Sequence, residues 1–133
     1  MRYLLDVSSL LALGFQEHEF FERGVAWVQT LSQVKDEFVT CAITELGFVR
    51  VLSQQVPPHG LSVADAKIAL ARLKSSGDIG FAFLADDHGA SRLPGWVKTS
   101  KQSTDGHLLL LAKANGAVLA TLDRSIPGAY LIP

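Results

Sequence analysis

Arg2-Tyr3-Leu4-Leu5-Asp6-Val7-Ser8-Ser9 begins with an apolar run that stops at a carboxylate. Tyr3, Leu4 and Leu5 follow one another with no helical gap, the pattern of a strand covered on both faces inside a parallel sheet. Asp6 then either caps the turn into the next helix or ends a central strand, at the edge where open α/β sheets keep their ligands. The stretch alone leaves both readings open. Three later segments also set an acid against an apolar run.

Working outward, Ser8 or Ser9 can cap a short helix through Leu10–Leu13 that Gly14 ends. From Glu17 to about Leu31, the residues Phe20, Phe21, Trp27, Val28 and Leu31, with Gly24 among them, fall on one helical stripe. Phe38–Cys41 reads as a second strand, followed by a helix at about Ile43–Gln54. Val56-Pro57-Pro58-His59-Gly60 is the strongest breaker in the chain. Ser62 and Asp65 then open a helix whose buried side is Val63, Ala66, Leu70 and Leu73, and Ser75-Ser76-Gly77 ends it. Ile79–Leu84 is a third strand. Asp86–Lys101 is a polar loop with one short helical turn, and Ser103 or Thr104 caps a helix running to about Ala114, where Asn115-Gly116 stops it. Ala117–Leu122 is a fourth strand, and Tyr130-Leu131-Ile132 adds a short edge strand. Strands alternating with helices predict an α/β fold: a three-layer α/β/α sandwich around a mostly parallel sheet of four to five strands.

With 133 residues the chain suits a single domain, 1–133, with one core. Its 48% hydrophobic and 19% charged residues exclude disorder and fit a sheet covered on both faces. A formal net charge of −1 gives no global field for nucleic acid, so such binding would need a local basic patch or metal ions. Cys41 is the only cysteine, which rules out an internal disulfide and points to a reducing compartment, the cytoplasm by default. Asp6 interrupts the opening apolar run before it makes a signal peptide, and no uncharged stretch reaches the length of a membrane span. A soluble protein with no membrane association is expected.

Most of the 13 acidic residues sit at turns or on solvated faces, but four do not. Glu45 shares a helical face with Phe48, Val49 and Leu52, and Asp105 shares one with Leu108, Leu109 and Ala112. Asp6 and Asp123 each follow an apolar strand. Parallel strands end at the edge where the covering helices begin, so all four acids are expected to converge there, Glu45 and Asp105 each from a first helical turn. Several carboxylates so placed cannot all stay ionised unless a cation neutralises them. Oxygen-only ligands suit Mg²⁺, with Mn²⁺ as substitute, and such a centre activates water for in-line displacement at phosphorus, with one ion or two. Metal-dependent phosphodiester hydrolysis is the leading chemistry.

The same segments resemble the PIN-domain ribonucleases, and within them the VapC-type toxins of toxin–antitoxin pairs. Leu4-Leu5-Asp6-Val7-Ser8-Ser9-Leu10-Leu11-Ala12 is similar to that family's opening strand, with Ser8 where Asn or Ser is usual. Thr44-Glu45-Leu46-Gly47-Phe48-Val49-Arg50, Thr104-Asp105-Gly106-His107-Leu108 and Leu119-Ala120-Thr121-Leu122-Asp123-Arg124 resemble its later acidic segments, in order. The resemblance implies Mg²⁺- or Mn²⁺-dependent cleavage of single-stranded RNA, homodimerisation and inhibition by a small antitoxin protein. Asp86-Asp87-His88-Gly89 aligns with nothing in that pattern, so a further ligand from Asp86 or Asp87 stays open.

Asp6, Asp105 and Asp123 are therefore expected as metal ligands, with Glu45 binding metal directly or through water, and these four form the catalytic set. Ser8 and Thr121 have hydroxyls placed to orient those carboxylates. Arg92, Lys98 and Lys101, in an acid-free stretch before Asp105, are candidates for RNA phosphate contacts, with a solvated loop as the plainer reading. Trp96 can stack on a base, meet a partner or pack in the core. His18, His59, His88 and His107 lack zinc-site spacing. Three other readings stay open: a scaffold of this type without activity, an RNA-processing nuclease without an antitoxin, and a metal-dependent phosphatase. The last places a second Asp two residues after the first, where this chain has Ser8.

Overall fold

The computed structural model describes residues 1–54 and 60–133. Val56–His59, the core of the expected breaker, lies outside the described residues. Five parallel strands, β1 (Arg2–Leu5), β2 (Glu37–Cys41), β3 (Gly80–Leu84), β4 (Val118–Thr121) and β5 (Tyr130–Leu131), form one sheet in the order β3-β2-β1-β4-β5. The expected α/β sandwich is what forms.

The two-residue side-chain period of each strand sorts the core into two clusters. Tyr3, Leu5, Phe38 and Ala120 face α1 (Val7–Gly14), α2 (Phe21–Val28), α3 (Ala42–Gln54) and α4 (Val63–Ser76), whose Leu10, Trp27, Phe48, Leu52, Ala66 and Leu70 complete that layer. Leu4, Val39, Cys41 and Leu119 face α5 (Ser100–Ala114) through Leu108, Leu109, Leu111 and Ala112. Both faces of the sheet are thus covered, which explains why its central strands read as continuous apolar runs.

Four helices differ in detail from expectation. Asp6 caps α1, as one of its two expected readings has it, in place of Ser8 or Ser9: its Oδ1 accepts from the Ser9 amide at 2.8 Å, which starts the helix at Val7. The stripe from Glu17 to Leu31 yields a helix over Phe21–Val28 alone, because the chain before it is taken up by tight turns in which Phe15 O accepts from His18 N and His18 O from Phe21 N. A turn is added at the start of α5, where Gln102 Oε1 accepts from the amides of Lys98 and Thr99 at 2.8 and 3.2 Å. That shift moves Asp105 from the first helical turn into the second. In α4, Ser62 caps as expected by accepting from the Asp65 amide, but Val63 is 55% exposed and only Ala66 and Leu70 are buried.

β1 lies at the point where strand order reverses, with β2 on one side and β4 on the other. In open α/β sheets the crevice beyond the strand ends at such a point is where ligands bind. Asp6 follows β1 and Asp123 follows β4, and the two strand ends are tied there by the Asp6 amide donating to Ala120 O at 3.3 Å.

Candidate active site

Asp6 is the best-buried charged side chain described, with 6% of its surface exposed. Burial of a carboxylate is tolerated only when its oxygens are bonded, and both are. Oδ1 takes the Ser9 amide, and Oδ2 takes the hydroxyl of Thr121 at 2.5 Å. Thr121 Oγ1 in turn accepts from the Asp123 amide at 3.0 Å, so one hydroxyl fixes Asp6 and the backbone leading to Asp123 together. Ser8, by contrast, is exposed and lines a small cavity shared with His18, Phe20 and Asp123; the serine that bonds to this region is Ser9, whose hydroxyl donates to Ala120 O at 3.0 Å.

Asp123 is held by its own turn, accepting at Oδ1 from the Ser125 amide at 2.8 Å and the Ser125 hydroxyl at 2.7 Å. Those bonds keep its carboxyl below the ordinary value, with the charge of Lys101 adding to the effect. Asp105 behaves oppositely. Burial first, and then the negative charges of Asp6 and Asp123, push its carboxyl above the ordinary value. The three aspartates thus share one electrostatic neighbourhood although they come from three separate segments. Gly106 lets the chain close over this point: a Cβ there would stand 2.3 Å from Val97 Cγ2, so only hydrogen fits between α5 and the 94–97 loop. Trp96 in that loop packs against the core beneath α5, the plainest of its three expected roles.

Glu45 is engaged differently. Its Oε2 accepts from Thr40 Oγ1 at 2.5 Å and from Lys74 Nζ at 2.7 Å, a pairing that brings α4 onto the first turn of α3. Gly47, on the same helix, is open enough to let Val7 of α1 press against the backbone, where a Cβ would meet Val7 Cγ2 at 2.5 Å. Among the described residues, no group of three or more acidic, histidine or cysteine side chains is arranged to hold a metal ion as the side chains stand.

A second cluster lies beyond β3. Asp86 Oδ2 meets His107 Nε2 at 2.5 Å, and Oδ1 accepts from the His88 amide at 3.0 Å. Burial works to raise the Asp86 carboxyl, but the bonds from His107 and His88 outweigh it and leave it below the ordinary value. His88 Nδ1 stands 3.4 Å from both Asp86 Oδ1 and Asp87 Oδ1 without an aligned hydrogen bond. Asp86 is therefore occupied by His107, which is two positions after Asp105 on α5; nothing in the local sequence ties residue 86 to residue 107. Of the three basic candidates, Lys101 is near enough to Asp123 to act on its charge, whereas Arg92 and Lys98 are exposed on the approach to α5.

No family model matches the chain. Ribonuclease VapC44 of Mycobacterium tuberculosis is 39% identical over 138 residues, covering 97% of this chain and 94% of the relative. Ribonuclease VapC38 of the same organism is 36% identical over 92% of this chain and 86% of its own length, and Ribonuclease VapC39 is 32% identical over 95% and 91%. A chain of the solved structure of FitAB bound to an IR36 DNA fragment superposes with a TM-score of 0.53 over 93% of this chain and 87% of its own, at 18% identity, and so shares the fold.

Proposed function

Because the chain belongs to the VapC ribonuclease family, we propose that it is a Mg²⁺- or Mn²⁺-dependent endoribonuclease, cutting single-stranded regions of RNA as the toxin of a toxin–antitoxin pair. The observation that supports the metal reading is Asp105, whose carboxyl is raised first by burial and then by the charges of Asp6 and Asp123. A divalent ion is the group that relieves such repulsion, and an all-oxygen donor set suits a hard one.

Asp6, Asp105 and Asp123 would hold the ion, with Glu45 acting on it directly or through water. When bound, the ion would supply charge to the transferring phosphoryl oxygens and lower the pKa of a water. The chain's own residues supply the rest. Thr121 and the Ser9 amide hold Asp6 in one orientation, and Ser125 keeps Asp123 ionised. Lys101 in the first turn of α5, with Arg92 and Lys98 before it in the same acid-free stretch of sequence, would guide the RNA backbone toward the acids.

A protein partner is supported by an open groove of about 630 Å³ between α3 and α4, where Leu46, Val63 and Phe83 are 69%, 55% and 56% exposed. An antitoxin would fill apolar surface of this kind and present Arg or Lys to the acids. Formation of a homodimer belongs to the same reading. No described helix is long and apolar enough to cross a membrane.

Incubating the chain with defined tRNA, rRNA and mRNA, with and without Mn²⁺, and mapping the new ends tests this reading. Cleavage that needs Mn²⁺ and falls at least ~100-fold in Asp6→Asn is expected, because that substitution removes a charge from the centre. Cleavage retained in Asp6→Asn would reject the site.

A further inference from the structure

Beside Asp123 a cavity of about 190 Å³ is lined by Ser8, His18, Glu19, Phe20, Leu122 and Asp123. His18 has no part in the chemistry assigned to the acids, yet its ring is fixed. Nδ1 accepts from the Phe20 amide at 3.1 Å, and the ring rests against that of Phe20 with 5.9 Å between centroids. Phe20 in turn lies under the Arg23 guanidinium at 5.5 Å, and Arg23 is anchored by donating from Nε to Pro133 O at 3.1 Å. A nitrogen that accepts carries no proton, so the proton of the neutral ring is on Nε2, which makes Nε2 a donor and not a metal ligand. Burial favours that neutral form, ahead of the opposing charge of Glu19. Nε2 has no hydrogen-bond partner among the described residues.

The cavity therefore offers one neutral donor, the Ser8 hydroxyl, which can donate or accept, and the carboxylates of Glu19 and Asp123. Those two acids disfavour a phosphate in the cavity itself, whereas a group that both accepts and donates finds a partner for each function. In RNA the sugar carries such a group, the 2′-hydroxyl, which DNA lacks. From this geometry we propose that the cavity is a ribose subsite beside the cleaved phosphate, in which His18 Nε2 donates to a 2′-hydroxyl and thereby selects RNA over DNA. Ser8 or Glu19 accepts from that hydroxyl in return. This deepens the ribonuclease reading above and rests on it.

The test follows Mn²⁺-dependent cleavage of an end-labelled oligoribonucleotide and of copies carrying a single 2′-deoxy sugar at each position around the cut. For the native chain, one deoxy position is expected to raise KM by about 5- to 10-fold, the size of one neutral hydrogen bond, with kcat little changed. His18→Phe, which keeps the ring and loses the donor, is expected to raise KM equally on the all-ribose strand and to be indifferent to the deoxy sugar. His18→Gln, whose amide N–H stands near the place of Nε2, is expected to recover part of the loss. Thermal melts verify that the variants are folded, and Ser8→Ala replaces His18→Phe if the latter is not. A flat deoxy series, or losses from variant and deoxy sugar that multiply, overturn the subsite and leave the ribonuclease standing. If the native chain cuts no RNA with Mn²⁺, the ribonuclease reading falls, and fluorescence anisotropy of the same strands in EDTA decides the subsite. A preference for ribose that His18→Phe removes upholds it, and equal binding of the ribose and deoxy strands, or none, overturns it.

Discussion

Asp105 carries the clearest electrostatic signature of the centre. Its folded carboxyl is raised above the ordinary value of 3.8 by burial and by Asp6 and Asp123. A raised acid binds more protons folded than unfolded, so without metal its contribution is most favourable below the unfolded value and is lost as pH rises through the folded one. Asp105→Asn removes that penalty. In protein stripped of divalent ions it is expected to melt higher than the native chain at neutral pH, with the gap closing as pH falls below the carboxylate range. Melting curves across pH measure it, and a variant that melts lower at neutral pH would contradict the repulsion. Residue identity alone marked Asp6, Glu45, Asp105 and Asp123 as out of place, since each interrupts or shares an apolar pattern. What those acids touch was not written locally: Thr121 reaches Asp6 across 115 positions and His107 reaches Asp86 across 21.

Among the elements, β1 and α4 were legible because their signals are short-range: an unbroken apolar run, and a Ser62 cap with a Gly77 stop. The start of α5 was not, because the Gln102 side chain, bonded to the Lys98 and Thr99 amides, extends the helix by a turn that periodicity does not reveal. Shortening of α2 has the same origin, in turns around His18 that compete with the helix. Packing between elements leans on glycines where no side chain fits. Gly106→Ala places a methyl 2.3 Å from Val97 Cγ2 and only 3.4 Å from Pro94 Cδ. Overpacking of this kind costs about 1–3 kcal/mol. The variant is expected to lose that much in chemical denaturation and to cleave RNA more slowly, as the loop beside Asp105 is pushed off α5; unchanged stability would mean that the loop yields freely.

At the scale of the molecule, the proposed ion binding would be coupled to folding, because Asp6, Asp123 and Asp105 belong to or follow β1, β4 and α5, segments far apart in the chain. An ion that binds the folded chain alone stabilises it by about 2.7 kcal/mol at roughly 100 times its dissociation constant. Mn²⁺ is therefore expected to raise the melting temperature by several degrees, a rise that chelation reverses and Asp6→Asn abolishes. Calorimetry with and without Mn²⁺ decides, and equal shifts in Asp6→Asn would place the ion elsewhere.

The sequence by itself determined the alternation of strands and helices, the parallel sheet covered on both faces, and which four acids have no business among apolar residues, because each of these is set by spacing of a few residues. Tertiary structure alone decided which partners those acids acquire. Asp6, Asp105 and Asp123 share a charged neighbourhood where strand order reverses, while Glu45 is matched by Lys74 from another helix. The reason is physical: electrostatic partnership depends on distance in space, and residues far apart in the chain acquire that distance only once the sheet has set its order.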